Sequence, residues 1–294
     1  MESQLWFSEE IKGRVRLSLR IKEQLYSAHS PFQHIEIFDT YEHGRMLVLD
    51  GYIMITEKDE FIYHEMISHV PLAVNPGIRR VLIIGGGDGG SVRELLKYPF
   101  IRQIDMVEID QMVVEACQRF IPTTSAWLSD PKVKLYFQDG IKYMAEQDNC
   151  YDLILVDSTD PDGPGEVLFS RPFYQDCYKA LTSNGILVNQ HESAFYQRDA
   201  EDFIKAASQL EGIFPVYKIY QFHLPTYSSG YWLFGFSSKG LDPIADFSPG
   251  RWQSLNITTD YYNPDLHKGA FALPNYVQRL FQSKIYQSKV GNGD

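Results

Sequence analysis

The sequence has little cysteine, no long apolar run and no excess of basic residues, and each of these absences excludes a class of protein. Its three cysteines, Cys117, Cys150 and Cys177, are far apart and have no CxxC pair or histidine cluster beside them. This pattern indicates neither a disulfide framework nor a metal site. The N-terminal segment has no basic start followed by an apolar core, and no apolar run approaches the roughly 20 residues of a spanning helix. We therefore expect a cytoplasmic protein.

The charge balance of the chain is acidic. Its 27 lysine and arginine residues face 38 aspartate and glutamate residues, which gives a net charge of −11. Proteins that bind nucleic acid need a basic surface that displaces counterions from phosphates, so we expect no nucleic-acid partner, and no membrane partner either. A small cationic substrate fits this balance.

The N-terminal part of the chain is rich in strand signals. Residues 13–56 contain short alternating apolar and polar runs separated by glycine-containing turns, which predicts a small antiparallel β-domain. Residues 58–74 have apolar positions at helical spacing until Pro76 and Gly77, which predicts a connecting helix. We place the N-terminal β-domain at residues 1–56 and a catalytic α/β domain at residues 57–294.

From residue 80 onward, continuous apolar runs alternate with helical stretches. The runs are VLII, IDMVEI, KVKLYF, YDLILV and GILVNQ. Strands that are buried on both faces have this appearance, so the pattern predicts an α/β fold with a Rossmann-like, doubly wound parallel sheet. Residues 214–238 predict a further pair of strands around a Pro/Ser/Gly turn, and residues 274–284 predict a helix.

Acidic residues stand at or near the ends of four of these runs. They are Asp88, Glu108, Asp139 and the pair Asp157 and Asp160. In open α/β sheets ligands bind beyond the carboxyl ends of the strands, so these carboxylates should face one crevice.

The loop GGGDGG lies between the first of these strands and a helix. It precedes Glu108 by the roughly 20 residues typical of an acid that binds ribose hydroxyls in nucleotide-binding units. Asp88 inside the loop would repel a phosphate or a substrate carboxylate and attract an ammonium group. The alternative is that Asp88 caps the helix that begins near Ser91.

The other acids also allow two interpretations. Asp139 either accepts from an adenine amino group or belongs to an Asp-Gly turn. Asp157 and Asp160 begin a Pro/Gly-rich segment that suits a lid over a site, or a solvated turn. A carboxylate held among like charges has a raised pKa, so Asp157, nearest the strand end, is the predicted base, and Asp160 the predicted partner of a substrate charge.

Several aromatic side chains could line a slot for a polymethylene chain with charged ends, or could be ordinary core residues. They are Tyr63, His64, Tyr227, Tyr231 and Trp232.

Taken together and in order, the motifs between about Leu5 and Ser238 resemble one family, the polyamine aminopropyltransferases typified by spermidine synthase. These motifs are WFSE, LDG, DEFIYHEM, GGGDGG followed by SVRE, VEID, QDG, DSTDPDGP, LFSRPFY and PTYSSG. The resemblance implies transfer of an aminopropyl group from decarboxylated S-adenosylmethionine, a co-substrate, to a diamine, usually putrescine, which gives spermidine and 5′-methylthioadenosine. It also implies a methyltransferase-type α/β domain, a homodimer or homotetramer, no metal and no separate cofactor.

The resemblance assigns roles to individual residues. On the donor side it implies Gln33, Gly85, Asp88, Glu108, Asp139, Gly140 and Pro164. On the polyamine side it implies Tyr63, His64, Asp88, Asp157, Asp160, Gln190 and Tyr227, with Asp157 as the proton acceptor.

Three departures leave the amine acceptor open. Ser228 stands where the family often has proline, Gly165 where alanine is usual, and His64 where glutamine is also found. Cadaverine, norspermidine-type and thermospermine-type chemistry remain alternatives. The rival classes are a methyltransferase that uses intact S-adenosylmethionine, an NAD-dependent oxidoreductase and a non-catalytic polyamine-binding protein. The acids Asp88 and Asp157 argue against all three.

Overall fold

The computed structural model describes residues 4–11, 13–158 and 167–282. Its first unit is a five-stranded antiparallel sheet in which each strand pairs with the next along the chain. The strands are β1 Leu5–Ile11, β2 Val15–His29, β3 His34–Thr40, β4 Arg45–Leu49 and β5 Tyr52–Thr56. The last hairpin turns at Asp50 and Gly51, which both have positive φ as a two-residue hairpin loop requires. The predicted antiparallel sheet is confirmed.

One face of this sheet is apolar and packs on a helix, α3, at Gln111–Phe120. Ile35 and Ile37 on β3 are completely buried and belong to one apolar cluster with Val113 and Cys117 of α3. Burial of this surface attaches the small sheet to the rest of the protein.

The second unit is a seven-stranded sheet with the order β11-β12-β10-β9-β6-β7-β8. Its strands are β6 Arg80–Gly85, β7 Gln103–Glu108, β8 Val133–Phe137, β9 Tyr151–Asp157, β10 Leu181–His191, β11 Val216–Phe222 and β12 Trp232–Ser238. Strands β6 to β10 pair in parallel, as predicted. The sheet is mixed, however, because β12 lies between β10 and β11 and is antiparallel to both.

Helices lie between these strands. Besides α3 they are α1 Glu60–Val74, α2 Gly90–Leu96, α4 Pro122–Ser125, α5 Gly140–Ala145, α6 Arg171–Ala180, α7 Gln197–Gln209, α8 Pro249–Gln253 and α9 Pro264–Ala270, with a further helical segment at 275–282. Within the described ranges, no helix has the length and apolar character needed to cross a membrane.

The strand order reverses between β6 and β9. From β6 the chain proceeds to β7 and β8 on one side, whereas β9 and β10 lie on the other. Ligands of open α/β sheets bind at such a reversal, beyond the carboxyl ends of the strands. Here Gly85 at the end of β6 is in register with Asp157 at the end of β9.

Candidate functional site

A cavity of about 440 Å³ lies at the carboxyl ends of β6, β7 and β9 and extends to the five-stranded sheet. This volume is in the usual range for a small-molecule site. The predicted site residues that line it are Gln33, Tyr63, His64, Gly85, Asp88, Glu108, Asp139, Gly140, Asp157, Gln190 and Tyr227. The other two, Asp160 and Pro164, lie outside the described residues.

The glycine-rich loop is bound closely to the end of β9. Gly85 and Gly86 have φ of +85° and +74°, and the Gly86 N–H donates to the Asp157 carbonyl oxygen at 2.8 Å. A Cβ at Gly85 would overlap that oxygen, and a Cβ at Gly87 would lie 3.2 Å from Glu108 Oε2. Only glycine fits the conformation and the close approach at Gly85, and the loop thereby brings Asp157 and Glu108 to the same turn.

Asp88 joins the helix that follows the loop to a buried histidine. Its Oδ1 accepts from the Gly90 N–H at 2.8 Å and lies 3.2 Å from His64 Nε2. The helix cap considered for Asp88 is therefore partly correct, although the N-cap residue of α2 is Gly89. Burial would raise the pKa of Asp88, but His64 and the Gly90 N–H lower it below its usual value. The carboxylate is held in its ionised form.

His64 lies between two carboxylates. Its side chain is 1% exposed, and its Nδ1 lies 2.6 Å from Glu60 Oε2. Burial would lower the pKa of His64, but Asp88 and Glu60 raise it well above its ordinary value. Both ring nitrogens are thus engaged by protein carboxylates, which makes His64 a charged part of the cavity wall.

Asp157 is a partly buried carboxylate with a raised pKa. Its Oδ2 accepts from the Ser91 hydroxyl at 2.6 Å, and the Tyr63 hydroxyl also donates to it. Burial and the charge of Asp88 raise its pKa, and His64, Ser91 and Tyr63 offset part of that increase. A carboxylate with a raised pKa is a better proton acceptor than an exposed one.

Ser91 was not recognised as a site residue in the sequence. The available signal was its position in the first turn of the helix after the loop, where a hydroxyl can reach back to the neighbouring strand end.

Glu108 and Gln33 both line the cavity, and both bind Asp110. Glu108 Oε1 accepts from the Asp110 N–H at 2.8 Å, and burial raises the pKa of Glu108 to about 7. Asp110 Oδ2 accepts from Gln33 Nε2 at 3.0 Å and from the Ser30 hydroxyl at 2.6 Å. Asp110, another residue that sequence reasoning missed, therefore fixes the β2–β3 loop at the cavity.

Asp139 is the N-cap of α5. Its Oδ1 accepts from the Ile141 N–H at 2.8 Å, so the turn interpretation describes its local role while its side chain also lines the cavity. A Cβ at Gly140 would lie 2.7 Å from the Ile84 side chain, which explains glycine at this position.

Aromatic residues line the opposite end of the cavity. Tyr63, Tyr227 and Trp232 line it as predicted, with the Tyr227 and Trp232 rings 4.7 Å apart. The Tyr227 hydroxyl donates to the Met54 carbonyl oxygen at 3.0 Å. Tyr231, which directly precedes β12, belongs instead to a separate apolar cluster with Phe203.

Three further acids that line the cavity were missed in the sequence. They are Glu9, Glu192 and Asp199, and all three are buried. They come from β1, from the segment after β10 and from α7, so only the folded chain brings them together.

A second group of acidic and histidine side chains lies behind the site. Ligand atoms of Glu65, His69 and Glu94 are within 4.8 Å of one another, an arrangement that could hold a metal ion. The ligand atoms of these three side chains already bind other groups of the protein, however. Glu65 accepts three backbone N–H groups from residues 260–262, and His69 contacts the Tyr98 hydroxyl at 2.7 Å and Glu94 at 2.9 Å. This cluster fastens the C-terminal segment to α1 and α2.

Two family models match the chain. The spermine/spermidine synthase domain matches residues 60–248, and the spermidine synthase tetramerisation domain matches residues 5–57. The polyamine aminopropyltransferase of Alkaliphilus metalliredigens is 54% identical over 95% of this chain and 99% of the relative. That of Clostridium perfringens is likewise 54% identical, over 95% of this chain and 99% of its own.

Two solved structures are similar throughout. A spermidine synthase in complex with the transition-state analogue AdoDATO has a TM-score of 0.91 and 40% identity, with 94% of each chain covered. The spermidine synthase of Thermotoga maritima has a TM-score of 0.88 and 38% identity, with 94% of this chain and 93% of that chain covered.

Proposed function

Because the chain belongs to the spermine/spermidine synthase family and is a polyamine aminopropyltransferase, we propose that it makes spermidine. The donor is decarboxylated S-adenosylmethionine, the acceptor is putrescine, and the second product is 5′-methylthioadenosine. The observation that carries this proposal is the pair of partly buried carboxylates, Asp88 and Asp157, on the glycine-rich loop and the strand end beside it.

Asp88 selects the donor in this proposal. A carboxylate in the loop attracts the ammonium group of the aminopropyl chain and repels the carboxylate that intact S-adenosylmethionine carries. Glu108 accepts hydrogen bonds from the ribose hydroxyls, and Asp139 and Gly140 lie against the adenine. Gln33 also lies next to the nucleoside of the donor. Gly85 allows the close approach of the loop, and Pro164 remains a proposed donor contact from the resemblance.

Asp157 is the proton acceptor. As the acceptor nitrogen bonds to the methylene next to the sulfonium, the carbon–sulfur bond breaks and its electron pair goes to sulfur, which leaves a neutral thioether. The proton released from the nitrogen goes to Asp157. Its position between Ser91 and Tyr63 supports this role, because the two hydroxyl groups fix the carboxylate while its pKa stays raised.

The acceptor end of the cavity suits a diamine. Tyr63 and Tyr227 flank a slot for the methylene chain of the diamine. Gln190 Oε1 lies 3.3 Å from the Tyr63 hydroxyl and adds a polar group to the wall of this slot. His64 acts through Asp88, and Asp160 is proposed to bind the charge of the acceptor amine. The buried acids Glu9, Glu192 and Asp199, which line the cavity, favour a second cationic group on the acceptor.

We also propose a cytoplasmic homodimer or homotetramer with domains at residues 1–56 and 57–294. The match of residues 5–57 to a domain named for tetramerisation supports an assembly through the five-stranded sheet.

The acceptor assignment is tested with a panel of amines. Initial rates with a fixed concentration of decarboxylated donor are measured for putrescine, cadaverine, norspermidine and spermidine. We expect the highest kcat/KM for putrescine, and a higher value for any other amine would overturn the assignment.

The role of Asp88 is tested by donor discrimination. Calorimetry compares the Kd values of decarboxylated and intact S-adenosylmethionine in the wild type and in Asp88→Asn. Loss of the charge should reduce the preference for the decarboxylated donor by about tenfold or more, as expected when a charged hydrogen-bond partner is removed. An unchanged preference would exclude this role.

A further inference from the structure

A chain of charged side chains extends from Asp88 into the protein behind the cavity. His64 Nε2 lies 3.2 Å from Asp88 Oδ1, and His64 Nδ1 lies 2.6 Å from Glu60 Oε2. Arg93 then binds Glu60 through two parallel bonds, Nη1 to Oε1 at 2.6 Å and Nη2 to Oε2 at 2.9 Å. Helices α1 and α2 and the glycine-rich loop each contribute to this chain.

Glu60 and Arg93 are removed from the reacting groups. Neither Glu60 nor Arg93 is among the described residues that line the cavity, and Glu60 is only 5% exposed. A buried ion pair of this kind is a poor source of stability, because desolvation cancels much of the attraction between the charges. Its position next to His64 therefore suggests a task other than stabilising the fold.

The bonds of His64 define its protonation. A neutral imidazole has one N–H donor and one bare nitrogen, so either tautomer would place a lone pair against a carboxylate oxygen of Glu60 or Asp88. Only the imidazolium donates to both. The ring occupies the space directly above Gly90, where a Cβ would overlap it.

The groups that face His64 come from several elements. Glu60 is on its own helix, Asp88 is in the glycine-rich loop, and Asp157 is at the end of β9. Arg93, on α2, is the nearby cation, and both its Nη atoms are directed at Glu60. The carboxylates outnumber the cation around the ring, and the imidazolium supplies the missing positive charge.

We propose that Glu60, itself oriented by Arg93, is a positioning residue that holds His64 as an imidazolium on one oxygen of Asp88. The other oxygen is thereby left for the ammonium group of the donor. This inference rests on the proposed function, since it explains how the donor-selecting carboxylate is kept charged and correctly turned. Burial of Asp88 beside Asp157 would otherwise favour its neutral form, which attracts an ammonium group only weakly.

The first test measures donor binding in Glu60→Gln by calorimetry. The Kd of decarboxylated S-adenosylmethionine should rise by about tenfold or more, the effect expected when a charged hydrogen bond is lost. The Kd of 5′-methylthioadenosine, which lacks the ammonium group, should stay unchanged. Glu94→Gln is the matched control, because Glu94 is also buried and bound to Arg93 but pairs with His69 and Lys97 rather than with His64. It should leave the ratio of the two Kd values as in the wild type.

The second test is a double-mutant cycle. His64→Gln keeps an N–H donor for Asp88 and no longer needs an anion at position 60, so Glu60→Gln should have no further effect in that background. A purely structural role for Glu60 would give the same loss in both backgrounds and would overturn the inference.

The third test needs no variant of Glu60 and so does not depend on its folding. Nitrogen NMR of labelled histidine, with His64 assigned by its loss in His64→Gln, should show both ring nitrogens protonated in the wild type at neutral pH. A neutral His64 would overturn the inference. Failure of the proposed function would look different, since the wild type would then show no preference for decarboxylated over intact S-adenosylmethionine.

Discussion

Replacing Asp157 by asparagine removes the proposed base with little change in shape. Asp157 Oδ2 accepts from the Ser91 hydroxyl at 2.6 Å. The side-chain carbonyl oxygen of the asparagine can keep that bond, and the side-chain NH2 group then takes the place of the other carboxylate oxygen. An amide nitrogen donates hydrogen bonds and accepts no proton at neutral pH. The variant therefore keeps the packing and loses only the base and its charge.

The expected loss follows from the role of the group. A positioned general base contributes roughly 10²–10⁴ in rate, which corresponds to about 2.7–5.4 kcal/mol of activation free energy. We expect kcat to fall by that factor. The Kd of 5′-methylthioadenosine should stay within about twofold, because this product carries no ammonium group that could interact with Asp157.

The assay is kcat at saturating donor and putrescine, with calorimetry of 5′-methylthioadenosine as the control for folding. In the wild type, kcat/KM should fall as the pH drops through the raised pKa of Asp157, because protonation removes the acceptor. Ser91→Ala removes a bond that lowers this pKa, so its acid limb should move to higher pH. A kcat for Asp157→Asn within about threefold of the wild type, with product binding intact, would refute the role of Asp157.

Three further predictions concern the donor side, the loop and the fold. Burial raises the pKa of Glu108 to about 7, and only its ionised form accepts from two ribose hydroxyls. The affinity for 5′-methylthioadenosine should therefore rise about tenfold from pH 6 to pH 8 in calorimetry and stay flat in Glu108→Gln; a flat wild-type profile would contradict this. Gly85→Ala should abolish most activity and lower Tm, because its Cβ would overlap the Asp157 carbonyl oxygen. The control Gly212→Ala, at a residue with φ +71° and open space around it, should lose only about 1 kcal/mol of stability. Equal losses of stability in the two variants would be evidence against the close approach at Gly85. Burial would raise the pKa of Glu94, but His69 and Lys97 lower it from 4.5 to about 2. The lowered pKa corresponds to about 3 kcal/mol of stability, which is present above pH 4.5 and lost as the pH falls towards 2. The free energies of urea unfolding of wild type and Glu94→Gln should therefore differ at pH 7 and converge near pH 2. A difference that stays constant with pH would argue against this role of Glu94.

The strand ends could be predicted from the sequence because parallel strands place their carboxyl ends at one edge. Asp88, Glu108, Asp139 and Asp157 each follow or end an apolar run, and all four line the cavity. Local periodicity was sufficient here, since each strand carries its own signal.

The antiparallel direction of β12 and its place between β10 and β11 could not be read in this way. Every residue of β12 is buried, so its sequence WLFGFSS has no alternation that would reveal its neighbours. A short turn indicated that β11 and β12 pair, but insertion of β12 beside β10 depends on contacts far apart in the chain.

The network behind Asp88 was also beyond the sequence. Glu60 and His64 are four residues apart and so share one face of a helix, which is a visible signal for a pair. Nothing in the sequence indicates that Arg93 completes it, because that contact depends on how α1 and α2 pack. The cavity acids Glu9, Glu192 and Asp199 were missed because they come from three different parts of the chain, and only packing brings them together.

The measurement that tests the central claim most directly is mass spectrometry of the products formed from putrescine and either decarboxylated or intact S-adenosylmethionine. The account predicts spermidine and 5′-methylthioadenosine from the decarboxylated donor alone. Methylated putrescine and S-adenosylhomocysteine from the intact donor would contradict it.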